Sequence, residues 1–286
     1  MASKANDSVL ILGGGLMGLA IAHQLARKKI KVEVLSHNRN EAAGFVAAGM
    51  LAPHAEGLDG NLLKIGQLSL EQIPQWVNTI EADSGIRCDL RTCGIVVPFK
   101  NESDRDSYLT AQFGVALNRS ELEQEIPGIA RHWKAGLLFK QDGQIDNRRR
   151  LMRALENACV GLGVNFQEGV KVLELLENNN TFQGVRIQNA EGELKTLKGM
   201  KAVLCNGAWG AELLKELPIF PVKGQMLSIQ GPREALKRVL FGPGTYLVPR
   251  EDGLIVVGGT SEKEAGFTKG LTPAGQKNLQ DGIKSL

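Results

Sequence analysis

The sequence predicts an α/β fold in which a Rossmann-like dinucleotide-binding domain is interleaved with a domain of mixed and antiparallel strands. Three observations predict it. Residues 9–36, VLILGGGLMGLAIAHQLARKKIKVEVLS, read as strand, glycine turn, helix and second strand. Residues 201–204 are a further short apolar strand that ends in Cys205-Asn206-Gly207. The intervening and following runs, at 91–99, 133–139, 225–229, 245–249 and 254–257, read as strands joined by turns rather than by helices.

In the first segment, Val9 to Leu12 is a continuous apolar run of the kind that forms a buried parallel strand. Gly13, Gly15 and Gly18 follow in G-x-G-x-x-G spacing. Gly13 permits the tight turn, Gly15 lets backbone approach a pyrophosphate, and Gly18 lets the helix lie close on the sheet. Leu16 and Met17 open the helix, whose free N–H groups and positive dipole end favour phosphate. The usual acid at the end of the second strand is replaced by Ser36, followed by His37, Asn38 and Arg39. A serine hydroxyl can bond a ribose without charge assistance. An absent acid with an arginine nearby also suits a 2′-phosphate, so these residues alone leave NADP and flavin dinucleotides both open.

The chain has 286 residues, enough for two domains' worth of core, and its 43% hydrophobic and 23% charged content is that of a globular protein. A net charge of +3 without a basic, aromatic-interleaved stripe argues against nucleic acid. The Arg148-Arg149-Arg150 run reads as a solvated helix face. Cys88, Cys93, Cys159 and Cys205 form no C-x-x-C pair and, with the four histidines, no metal-ligand spacing. Scattered thiols, a polar N-terminal lead and no transmembrane-length run lead to the expectation of a cytoplasmic protein with no membrane or metal association.

Further along, residues 40–55 are rich in small side chains, which would let backbone approach something flat and large; a helix with a glycine break is the alternative. Residues 61–81 carry apolar side chains at helical spacing, with Pro74 expected to kink or split the helix. Residues 104–117 read as helix and short extended piece. Ser120 and Glu123 have capping-box spacing for a helix over 120–126. Asp142-Gly143 reads as a turn, 148–161 as a helix, and 164–166, 170–176 and 181–188 as strands, with a hairpin tip at 178–180. Thr272-Pro273 starts a last helix as N-cap and first helical residue.

Four segments together resemble the flavin-dependent D-amino-acid oxidase and glycine oxidase family, and within it the thiamine-pathway glycine oxidases. They are the glycine turn, Ala47-Ala48-Gly49-Met50-Leu51 with His54-Ala55-Glu56, Pro221-Val222-Lys223-Gly224-Gln225, and Tyr246-Leu247-Val248-Pro249-Arg250 with Val257-Gly258-Gly259-Thr260. Cys205-Asn206-Gly207-Ala208-Trp209 fits as well. The resemblance implies FAD rather than NADP. Its ADP part would lie on Gly13, Gly15, Leu16, Met17, Gly18, Ser36 and His37. Val172 would meet the adenine side, Gly207 the second strand end, and Gly44, Ala48, Gly49 and Met50 would run along the flavin. It implies a glycine oxidase-type fold with an FAD-binding domain at 1–90 plus 146–215. A substrate domain would take 91–145 plus 216–271, and 272–286 would start a helix whose continuation is missing.

It further implies oxidation of glycine or another small amino acid to the imine, with O2 reduced to H2O2, in thiamine thiazole synthesis. Tyr246 would grip the substrate carboxylate, Met50 would sit beside the substrate, and Glu56 would meet its amine. His54 is read as structural and Arg250 as a solvated or sheet-end arginine. A thiazole synthase is the implied partner, and a homo-oligomer is left open. The family's Gly-x-Arg-Pro arginine and last strand and helix are not in this sequence. The expectation is therefore weak FAD binding and little oxidase activity; a non-catalytic FAD- or partner-binding remnant and a sarcosine or D-amino-acid oxidoreductase are the competing readings.

Overall fold

The structure is a computed structural model and describes residues 8–145 and 149–286. It groups into two compact units. One comprises Met1–Ala47, Thr79–Cys88 and Asn147–Pro221; the other comprises Ala48–Asn78, Asp89–Asp146 and Val222–Leu286. Residues 48–78 thus group with the second unit, whereas the sequence reading has them in the first. The cause is packing: Ala48, Ala52 and Ala55 bury into the core on the second unit's sheet.

In the first unit four parallel strands lie in the order Lys201–Leu204, Val9–Leu12, Val32–Ser36, Asn165–Glu168. Side chains alternate across a strand, so each face has its own core. Ile11, Val32 and Val34 pack with Ala22 and Ala26 of helix Leu16–Arg27 and with Cys159 of helix Arg150–Gly161. Leu10, Leu12 and Leu35 pack with Val185 and Ile187 of a three-stranded antiparallel meander, Lys171–Asn178, Thr181–Gln188 and Leu194–Lys198. Its first hairpin turns at Asn179 and Asn180, both with positive φ, the pair of left-handed residues that a two-residue type I′ turn needs. The helix expected from residue 148 begins at Arg150, and Arg148 lies outside the described residues.

The second unit is built on a seven-stranded sheet. Its order is Leu227–Gln230, Leu254–Gly258, Thr245–Pro249, Val239–Gly242, Ile95–Phe99, Ala135–Phe139, Val115–Leu117. The pairings are antiparallel except Val239–Gly242 with Ile95–Phe99. A smaller sheet pairs Met50–Leu51 and Leu90–Arg91 with Gly143–Ile145. The strand expected over 91–99 is therefore two strands, separated where Gly94 takes a positive φ of +77°.

Residues 40–55 form two short 3-10 turns and the Met50–Leu51 strand, not a helix. Helix Gly60–Ser84 continues through Pro74 instead of splitting, since the ring's fixed φ is helical and only one ladder hydrogen bond is forfeited. The capping box belongs to Asn118 and Glu121, not Ser120 and Glu123. The Asn118 side chain accepts from Glu121 N–H, Glu121 accepts from Asn118 N–H, and helix Arg119–Glu125 follows. Thr272 caps helix Pro273–Ser285 as expected, accepting from Gly275 N–H. Among the described residues no helix is long and apolar enough to cross a membrane, and no group of three or more His, Cys, Asp or Glu could hold a metal ion.

Candidate functional site

In the first unit the site is the glycine turn at the carboxyl end of the parallel sheet, where open α/β sheets bind ligands. Gly13 has φ +117°, and a Cβ there would collide with the Cys205 carbonyl at the end of strand Lys201–Leu204. A Cβ on Gly18 would run into Gly13 O, so the helix can lie this close only as glycine. Gly15 is the helix N-cap. It supplies no side-chain cap, and the first turn holds no acid. The first-turn amides of Leu16, Met17 and Gly18 are thus left for an anion. The backbone N of Asn206 would lie 3.1 Å from a Cβ on Gly13, its buried Oδ1 has no hydrogen-bond partner among the described residues, and Gly207 next to it has φ +55° with open space around it. A cradle kept clear of Cβ atoms, with uncapped backbone donors at its helix end, fits the pyrophosphate of a dinucleotide.

The other first-unit positions fall around this turn or behind it. Ser36 is buried at the end of its strand, while His37 is exposed. Gly44 abuts Met152, whose Sδ would lie 2.7 Å from an added Cβ. Val172 is half-buried on the meander side of the sheet.

In the second unit Ala48, Met50 and Tyr246 pack on one core of the large sheet, Gly49 lies between the first two in sequence, and Glu56 is near enough for its charge to act on Tyr246. Gly49 takes φ +79°, and its carbonyl accepts from Ile145 N–H at 2.8 Å. Met50 pairs with Gln144, and both Met50 and Tyr246 pack against the core of Ile95, Val97, Phe139 and Val248. Arg250 is buried directly after strand Thr245–Pro249, so of its two expected readings the solvated one is corrected and the sheet-end one stands. It donates to Ala48 O at 2.5 Å and to Gln144 Oε1 at 2.7 Å, so it fixes the backbone that leads into Met50.

Residues 52–57 are held by a buried carboxylate–imidazole contact that sequence reasoning missed. Asp142, fully buried, meets His54 Nδ1 at 2.6 Å and accepts from the His54 and Ala55 N–H groups at 3.2 and 2.8 Å. The far ring nitrogen, Nε2, lies 3.1 Å from Gln67 Nε2, and Thr110 and Tyr108 donate to the carbonyls of His54 and Ala55. Burial pushes the Asp142 carboxyl up, against the pull of His54 and the two amides. Within this frame Glu56 is exposed, and no partner is recorded for its carboxylate among the described residues. Partial desolvation and the Asp142 charge raise its pKa.

Tyr246 lies over Gly258 and Gly259, where a Cβ would meet its ring. Its hydroxyl has one recorded partner among the described residues, Met226 Sδ at 3.9 Å, a weak contact that leaves it able to bind a ligand. Burial and the Glu56 charge raise both Tyr246 and Tyr108, the only tyrosines in the chain. The native state keeps these protons after the unfolded chain has lost them, so stability is expected to fall as pH rises beyond about 10. A near-ultraviolet tyrosinate titration should show both ionising above that value, with Glu56→Gln lowering the onset; ionisation of both at the free-tyrosine value would contradict this environment.

The chain matches the family described as FAD dependent oxidoreductase (DAO) over residues 8–286. It is 37% identical over 284 residues to the bifunctional protein ThiO/ThiG of Synechocystis sp., an alignment covering 96% of this chain and 42% of that protein. It is 29% identical over 267 residues to a glycine oxidase of Bacillus licheniformis, covering 90% of this chain and 70% of that one. The crystal structure of glycine oxidase from Geobacillus kaustophilus superposes with a TM-score of 0.87 at 24% identity, over 98% of this chain and 77% of that one, which establishes the fold. The chain therefore belongs to the DAO family of FAD-dependent oxidoreductases, and it spans less than half the length of the bifunctional relatives that it matches.

Proposed function

We propose that this chain is the FAD- and substrate-binding part of an amino-acid oxidase acting on glycine or another small amino acid. The observation that carries the reading is the packing of Met50 and Tyr246 on one core, with the Glu56 charge acting on Tyr246, in a chain of a FAD-dependent family. Bound FAD would supply the two-electron oxidation of the amino acid to its imine, with O2 as the final acceptor and H2O2 as the by-product.

The protein's own residues do the rest. The Tyr246 hydroxyl donates to the substrate carboxylate. Glu56 accepts from the substrate amine, and its raised pKa limits its negative charge there. Met50 walls the site with apolar surface and excludes water. The Asp142–His54 pair holds the Glu56 loop at one geometry, and Arg250 holds the backbone of Ala48. The uncapped amides at Leu16 to Gly18 would receive the pyrophosphate of FAD, with Ser36 and His37 toward its ribose and Val172 toward its adenine. Gly44, Ala48 and Gly49 offer backbone to the flavin, and Gly207 lies by the second strand end. The likeness to bifunctional ThiO/ThiG proteins supports a role in thiamine thiazole synthesis, with a thiazole synthase as partner.

The test is purification with added FAD, visible flavin absorbance, and a peroxide assay with glycine, sarcosine and D-alanine. Glycine should give the highest kcat/KM. Tyr246→Phe should raise KM about tenfold, the loss of one charge-assisted hydrogen bond. Flavin-loaded protein that yields no peroxide from any of the three amines would sink the reading.

A further inference from the structure

Strand Val32–Ser36 ends without the acid that a dinucleotide site ordinarily uses on the ribose. The neighbouring strand has one. Asn165–Glu168 runs parallel in register, with Ser36 opposite Glu168, so both side chains leave the same face at the carboxyl end of the sheet.

Arg39 holds the Glu168 carboxylate in place. Its backbone N–H donates to Oε1 at 2.8 Å and its Nε to Oε2 at 2.7 Å. The guanidinium also pairs with Glu156 at 2.9 Å and lies 4.8 Å above the Phe166 ring. The aliphatic stem of Arg39 rests on the glycine turn itself: a Cβ on Gly14 would lie 2.7 Å from Arg39 Cγ and Cδ and 3.1 Å from Ser36 Cβ. An arginine is thus spread over the turn and presents a fixed carboxylate beside it.

A carboxylate has about four lone-pair sites, and Arg39 takes one on each oxygen. The Glu168 side chain remains 42% exposed, so an acceptor site is left on each oxygen for a vicinal diol. The same arrangement opposes a 2′-phosphate. The cation that would bind it is already engaged by two carboxylates, and a phosphate would meet their charge.

We propose that Glu168 is the ribose-binding carboxylate of the dinucleotide site, supplied from the adjacent strand in place of the acid missing at Ser36, with Arg39 as its positioning residue. The proposal rests on FAD as the cofactor. It identifies the ligand chemistry as an adenosine diphosphate with free 2′ and 3′ hydroxyls.

The probes are ADP and 2′,3′-dideoxy-ADP, titrated onto the full chain by calorimetry or by displacement of FAD. Wild type should bind ADP about tenfold more tightly than the dideoxy analogue. Glu168→Gln should bring that ratio close to one through weaker ADP binding, with dideoxy-ADP affinity unchanged; the latter doubles as the check that the variant is folded. Adding Ser36→Glu to Glu168→Gln should restore the preference. If Glu168→Gln keeps the full preference, or if wild type binds FAD but does not distinguish the two nucleotides, the proposal is overturned and FAD binding stands. If wild type binds neither ADP nor FAD, both fall.

Discussion

Replacing Asp142 by alanine is expected to destabilise the protein by about 3–5 kcal/mol, the cost of leaving up to three buried donors without their acceptor at about 1–3 kcal/mol each. The carboxylate serves three donors at once, His54 Nδ1 and the N–H groups of His54 and Ala55, and it is fully buried. Alanine leaves all three without that acceptor, beside a His54 ring packed between Phe113 and Phe139. Asp142→Asn should cost less, because its amide oxygen can still accept from Ala55. Urea denaturation of the two variants checks both the size and the order. A midpoint for Asp142→Ala within error of wild type would mean that the pair contributes nothing. The loop bearing Glu56 should loosen as well, seen as faster amide exchange at Ala55 and Glu56.

The second large effect is expected at Gly18. An alanine there drives a methyl into Gly13 O, which is backbone and cannot swing aside. The helix must move off the strand, and its first-turn amides move with it. FAD affinity should fall on the order of 100-fold, as a displacement of about 1 Å does at a positioned site, with about 1–3 kcal/mol lost from stability as in other overpacked contacts. Gly161→Ala is the matched control. Its added carbon meets nothing nearer than Asp83 O at 4.0 Å, so it should be neutral or gain up to about 1 kcal/mol of helix propensity. Equal FAD affinity for Gly18→Ala and wild type would refute the close-packing account.

What the sequence made legible was what depends on neighbours in the chain. The glycine turn, its two flanking strands and its helix follow from a local apolar run and fixed spacing, and the structure reproduces them. The 201–204 strand and the Thr272 cap are local in the same way. Strand Leu194–Lys198 went unseen because its residues are nearly all exposed, so no alternation marks it. Val239–Gly242 was missed although mostly buried; it is short and follows a turn-rich stretch. The capping box was displaced by two residues because Asn118 and Ser120 both sit three residues before a glutamate, and spacing alone does not separate them.

At the candidate site, Met50, Glu56 and Tyr246 are proposed through family resemblance, not through pattern. Asp142 and Arg250 were not legible. Asp142-Gly143 has turn composition, and its partner His54 is 88 positions away. Arg250 sits before Glu251-Asp252-Gly253, equally turn-like, yet its side chain reaches back 202 positions to Ala48 O. Buried polar pairs made across the fold leave no periodic trace in a sequence.

The ring of Tyr246 rests on Gly258 and Gly259, two adjacent residues without side chains, in a strand partner directly beside its own. That flat seat leaves the ring little room to rotate, because its far side packs on the buried core. Its rotational freedom is surrendered once, during folding, and not again each time a substrate arrives. On the proposed reading, a ligand as small as glycine would offer few atoms with which to offset such ordering, so a ring already seated would matter more than it would for a larger substrate.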